Sequence, residues 1–173
     1  MEKRNRSKIK KYKFRRYKFY YPLIFKREKK KLQRIFGRNF QIEHVGSTAI
    51  KGLGGKGIVD IQVSVPKKQL EYFKNLLIKK KYVLHPNKKR GDRLYFVKDN
   101  SYINKIHIHL TRKGSVIEKD TLAFVNYLRK NKKHRKRYSE IKKQGIKIAK
   151  GESKKYKEYK KKIIKEILKE IKK

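Results

Sequence analysis

The chain has 173 residues, enough for one domain with a real core, and Tyr supplies much of the bulk in an apolar fraction of only 36%. It has no cysteine, which excludes disulfides and thiolate metal sites, and no apolar run of membrane-spanning length. Fifty-five Lys and Arg against 14 Asp and Glu leave a formal charge of +41, more than solubility requires and costly in self-repulsion.

Two readings of that charge stand side by side. One is binding to polyanions such as nucleic acid or polyphosphate ligands. The other is compositional drift toward Lys, which the even spread of Lys and the lack of an arginine-rich arm favour. Either raises non-specific affinity for nucleic acid.

The start, "MEKRNRSKIKKYKFRRYKFYYPLIF", is basic and aromatic and lacks the apolar core and cleavage site of a secretory signal. The expectation is a cytoplasmic protein with a basic, flexible segment over 1–20 and one domain over 21–173. Residues 23–36 place Leu23, Ile24, Phe25, Leu32, Ile35 and Phe36 on one side of a helix. "FQIEHV" (40–45) reads as a strand, and the glycine-punctuated "GSTAIKGLGGKG" as a turn with one short helix. "IVDIQVSV" (58–65) alternates Val59, Ile61, Val63 and Val65 with Asp60, Gln62 and Ser64, the period of a strand with one apolar face. Pro66 ends it.

A helix follows over 67–80, with Leu70, Phe73, Leu76 and Leu77 on one face. "YVLHP" and "DRLYFVK" are short strands, and "DNS" (99–101) is a hairpin turn into a strand over 102–110. There Ile106, Ile108 and Leu110 face one way, His107 and His109 the other. The rest is helical, with Leu122, Val125 and Leu128 sharing a face and a closing stripe of Ile163, Ile164, Ile167, Leu168 and Ile171. The fold class expected is α+β: a mixed sheet flanked by helices, with further helices at the C-terminus.

The chemistry sits in the middle. Alternation puts Asp60 and Gln62 on one sheet face, and His107 and His109 form the same i, i+2 pair on another strand. If those strands are neighbours, four polar side chains meet. The "VGST" turn before them offers amides and two hydroxyls suited to a phosphate. Singly, each element has a plainer reading. A Gly-Ser-Thr turn is more often a cap, a lone Asp on a strand is commonly solvated, and two imidazoles need further ligands to hold a metal. His44, His85 and His134 read as surface or packing residues. Order gives the set its weight.

"IEHVGSTAIKGLGGKGIVDI" (42–61) resembles the signature of the GrpB family, E-H-h-G-S-T-[AS]-V-P-G-L-x-x-K-P-I-I-D-I, where h is apolar. "HIHLTRKGS" is similar to that family's H-[IL]-H-[LV] strand, "LAFVNYLRKNKKHRKRYSEIKK" to its helix pair, and "YKEYKKKIIKEIL" to its last helix. The resemblance implies a nucleotidyltransferase-like fold, in which a Gly-Ser turn holds nucleotide phosphates and strand carboxylates bind two metal ions. By position it makes Gly46 and Ser47, with Thr48, the phosphate turn and Asp60 the first carboxylate. Gln62 stands in the second carboxylate slot, and His107 or His109 lies near the third. Glu43, His44 and Lys56 match the signature too. Gln supplies no charge for a hard cation, so the expected site is an altered one. A nucleotide or phosphorylated small molecule is held by the turn, Lys56, Gln62 and the histidines. At most one divalent metal, Mg or Mn ahead of Zn, sits on Asp60 with His107 and His109. Lys51 and Gly57 replace the family's prolines and loosen the loop. The expected function is nucleotide binding with nucleotidyl transfer in view. The alternatives are a non-catalytic nucleic-acid-associated protein and an accessory domain partnering dephospho-CoA kinase, to which relatives are fused.

Overall fold

The computed structural model describes residues 13–85, 92–103, 105–150 and 152–172. Its elements are α1 (Tyr21–Phe36), β1 (Gln41–Val45), β2 (Ile58–Val65), α2 (Leu70–Lys79), β3 (Val83–Leu84), β4 (Arg93–Asp99), β5 (Lys105–Arg112), α3 (Val116–Lys130), α4 (Lys132–Ile148) and α5 (Ser153–Ile171). The sheet order is β1-β2-β5-β4-β3. β2 and β5 run parallel at its centre, and the other pairs are antiparallel. This is the expected α+β architecture with a mixed sheet.

The apolar alternation in β2 and β5 decides which face goes where. Val59, Ile61, Val63, Ile106, Ile108 and Leu110 are buried against Leu32 and Phe36 of α1 and Phe73 and Leu77 of α2. The opposite face carries Asp60 and its register partner Val45. Val45 packs with Val125 and Leu128 of α3, Tyr138 of α4, and Ile163 and Ile167 of α5. Helices therefore cover both faces, and the polar residues of β2 and β5 lie on the side of the C-terminal three.

Local chemistry sets the boundaries. α1 starts at Tyr21, two residues earlier than the apolar pattern suggests, because Pro22 is tolerated in the first turn of a helix, where its missing N–H has no partner to lose. Leu23 lies off the core face that Ile24 occupies and is 54% exposed. The turn before α2 (Lys67–Gln69) is a 3-10 helix. β5 begins at Lys105 and not at Tyr102, since Asn100 Oδ1 accepts from the Tyr102 amide at 3.0 Å and keeps the chain turning. Ser115 caps α3 by accepting from the Glu118 amide at 3.3 Å, while Glu118 reaches back to the Gly114 amide. Pro86 of "YVLHP" and residues 1–12 of the basic segment lie outside the described residues.

Residues 13–20 run along the glycine-rich loop. Arg15 and Gly55 exchange backbone hydrogen bonds of 2.7 and 2.9 Å, and the Phe14 ring occupies the space a side chain at Gly54 would need. Among the described residues no helix is long and apolar enough to cross a membrane.

Candidate functional site

Parallel pairing of β2 and β5 sets Asp60 beside His107 and Gln62 beside His109. The carboxylate Oδ1 of Asp60 stands 3.1 Å from His107 Nδ1 and 3.1 Å from His109 Nε2. A carboxylate only accepts, so both imidazoles direct an N–H at that one oxygen. Burial alone would raise the Asp60 carboxyl. The two imidazole hydrogen bonds outweigh it and hold the group well below the usual carboxylate range. Burial pushes the His109 imidazole down, against the pull of Asp60. From β4, Tyr95 brings its hydroxyl oxygen to 2.6 Å from the same His107 Nδ1, so the single proton on that nitrogen is shared between Tyr95 and Asp60, and the Tyr95 ring lies edge-on to both imidazoles. The four residues form one connected network across three strands.

The Gly-Ser turn sits directly on this network. Gly46 has φ +72°, and a Cβ there would fall 2.5 Å from Asp60 Oδ2, so only glycine fits. Ser47–Ala49 then form a 3-10 turn. Beneath it, Thr48 is buried and its hydroxyl donates to the Ile58 carbonyl at 2.9 Å. With that proton committed, His44 Nε2 is the donor in the 3.0 Å contact with the Thr48 hydroxyl. The His44 ring stacks on Phe25 of α1, 4.7 Å between centroids. Burial pushes its pKa down to about 4, which fits the neutral tautomer that this chain of donors requires. His44 and Thr48 thus fasten the turn from its hidden side, spending the polar groups a ligand would use.

The structure brings Gly46, Asp60, His107 and His109 together, with Ser47 following Gly46 in the turn. Lys56 leaves the glycine loop with its ammonium 4.6 Å over the Tyr156 ring of α5. Gln62 is 1% exposed beneath the start of α3, its amide 3.4 Å from the Glu118 carbonyl. Glu43, partly buried on edge strand β1, is its register partner. His85 makes edge contact with Tyr95, and His134 pairs with Glu170 at 2.9 Å.

Three contributors are given no role by the sequence motifs, although Tyr138 and Lys142 lie within the matched stretch "LAFVNYLRKNKKHRKRYSEIKK". Tyr95 completes the imidazole network. Lys142 and Tyr138 of α4 reach the loop from above, with Lys142 Nζ donating to the Gly54 carbonyl and lying 5.3 Å from the Tyr138 ring. Their signal is the i, i+4 spacing of "YSEIK", which puts a lysine on the apolar face of a helix.

The residues present do not fit a divalent cation. Among the described residues no three His, Asp or Glu are placed to hold one. The expected second carboxylate is the buried Gln62, and the first spends one oxygen on two imidazoles.

The chain as a whole is similar to known proteins. The GrpB family, described as GrpB protein, matches residues 11–170. Glutamate-rich protein GrpB of Alkalihalophilus pseudofirmus is 32% identical over 154 residues, 86% of this chain and 88% of that protein. UPF0157 protein BH1888 of Halalkalibacterium halodurans is 31% identical over 157 residues, covering 86% and 76%. The crystal structure of conserved protein GrpB from Enterococcus faecalis superposes with a TM-score of 0.77 at 28% identity, over 93% of this chain and all of that one. Cid1 poly(U) polymerase aligns more loosely, at TM-score 0.48 and 11% identity over 73% of this chain and 45% of that one.

Proposed function

The chain belongs to the GrpB family, and from that premise we propose that it binds a nucleotide or other phosphorylated small molecule at the Gly46–Ser47 turn beside Asp60. The observation that carries this reading is the seating of the Gly46–Ser47 turn on the Asp60 carboxylate, with a Cβ at Gly46 only 2.5 Å from Asp60 Oδ2. That contact holds a turn with a free-standing hydroxyl group beside a carboxylate and two imidazoles. Ser47 and the Lys56 ammonium hold the phosphate. Asp60, kept ionised, orients His107 and His109, and Tyr95 fixes the His107 ring. His44 and Thr48 are framework.

Binding is a better reading than two-metal nucleotidyl transfer. In-line transfer needs carboxylates on both sides of a metal pair, and the second slot is a buried amide under α3. The strong positive charge is not what defines the site. A relative with 32% identity is named glutamate-rich, while this chain has 14 acidic and 55 basic residues.

Calorimetric titration with ATP, CTP, GTP and pyrophosphate tests the reading. At least one binds, and Ser47→Ala weakens it about tenfold, the worth of one good hydrogen bond. If none binds at millimolar concentration, the reading fails.

A further inference from the structure

Lys142 is the only buried lysine among the described residues, 3% exposed, and it makes no ion pair there. Its ammonium has the Gly54 carbonyl on one side and the Tyr138 ring on another. On the third side is Ser47. A Cβ built on Gly55 would fall 2.4 Å from Ser47 Oγ and 2.9 Å from Lys142 Nζ, so hydroxyl and ammonium flank the same glycine. The charged groups that act on Lys142 are Lys56 from the loop, Lys160 from α5 and Asp60 from β2. Two further ammoniums therefore act on Lys142, against a single carboxylate already committed to two imidazoles.

An ammonium buried without an anion is among the costliest arrangements a fold can keep, and an apolar residue of similar volume would pack there at less cost. Burial and the neighbouring lysines push the Lys142 pKa well below the usual lysine range, as expected where negative charge is missing. A phosphate on Ser47 would supply it.

We propose that Lys142 is an anion contact of this turn, the internal counter-ion of a terminal phosphate group seated on the Ser47 hydroxyl. The inference rests on the phosphate-binding reading and adds to it a residue from α4, outside the glycine-turn and histidine motifs. It also defines the ligand class: a phosphomonoester or the end phosphate of a polyphosphate, whose double charge matches the cations gathered here.

Two variants and one probe test it. Lys142→Met removes charge and donor at similar volume, whereas Lys142→Gln keeps a donor for the Gly54 carbonyl without the charge. Pyrophosphate affinity is measured by calorimetry, and thermal midpoints in phosphate-free buffer. Both variants bind pyrophosphate at least about thirtyfold more weakly than the unmodified chain, and Lys142→Met raises the midpoint of the ligand-free protein. Unchanged affinity in either variant overturns the proposal. So does restoration of affinity by Gln alone, because Lys142 would then act as a clamp on the Gly54 loop. Failure of the unmodified chain to bind pyrophosphate or any nucleotide would instead remove the phosphate reading itself.

Discussion

Gly46 rests on the carboxylate of Asp60: a methyl group at position 46 would lie 2.5 Å from Asp60 Oδ2. Turn and strand are interlocked through this contact, so whatever touches the turn is also within reach of the imidazole-held carboxylate. Gly46→Ala should be costly twice over. It strains a backbone at φ +72°, worth about 1–3 kcal/mol, and it drives Asp60 away from His107 and His109. Urea unfolding should show a loss of at least that size, with ligand binding abolished. A Gly46→Ala protein as stable as the original would mean that the interlock is not real.

That contact also marks where the sequence stops being legible. Period-2 alternation in "IVDIQVSV" and "YINKIHIHL" paired Asp60 with Gln62 and His107 with His109, but the meeting of the two pairs on one face required β2 and β5 to be neighbours, which the structure supplies. Alternation could not say that α3 would close over Gln62 and leave Asp60 partly exposed, since helix placement depends on packing between distant segments. His44 and Thr48 show the same limit. Both match the family signature as fully as Ser47 does, yet a single hydrogen-bond chain to the Ile58 carbonyl turns them inward. Lys142 lies in the matched helix-pair stretch, but only its burial separates it from the solvated lysines around it.

His44 makes the stability of the fold depend on pH. Its folded pKa is lowered from 6.5 to about 4, with burial the main cause. The folded state therefore keeps the ring neutral, while the unfolded chain takes up a proton below 6.5. The contribution is complete above that value and is lost as pH falls toward 4, by up to about 3 kcal/mol. His44→Gln retains an N–H for the Thr48 hydroxyl but does not titrate. Denaturant unfolding of both proteins from pH 7 to 4 should show the stability gap between them shrinking as pH falls. His109 and Asp60 also weaken the fold in acid, but they are common to both chains and cancel in the difference. A gap that stays constant with pH would show that His44 is not buried as a neutral ring.

The start of α3 roofs Gln62, and its cap should report on how firmly that roof is held. Ser115 accepts from the Glu118 amide, and the Glu118 carboxylate takes the Gly114 amide. Ser115→Ala should cost about 1 kcal/mol, the usual worth of an N-cap side chain. Glu118→Gln can still accept from Gly114 and should cost less than Glu118→Ala. Hydrogen exchange at Glu118 checks whether the loss is local, because a loosened cap exposes that amide first. Equal stability of the Ala and Gln variants at 118 would argue that the carboxylate is not capping.

The last expectation concerns metal. A two-cation site would draw the Asp60 carboxylate away from its imidazoles, since hard divalent ions take oxygens and compete with N–H donors for the same lone pairs. Here both imidazoles converge on Oδ1 at 3.1 Å, and the neighbouring slot offers only a buried amide. Oδ1 of Asp60 is already paired without a cation, while His109 Nδ1 and Gln62 Oε1 are buried with no hydrogen-bond partner among the described residues; exhaustive dialysis against EDTA should leave the thermal midpoint and pyrophosphate affinity unchanged. Adding Mg²⁺, Mn²⁺ or Zn²⁺ back should not raise the midpoint either. Zn²⁺ is the sharpest probe, because imidazole nitrogens favour it and a 2-His-1-carboxylate set is a known ligand combination for transition metals. A midpoint that rises with Zn²⁺ and ceases to do so in His109→Ala would show that the cluster opens around a cation. The imidazole–carboxylate hydrogen bonds would then describe only its empty form.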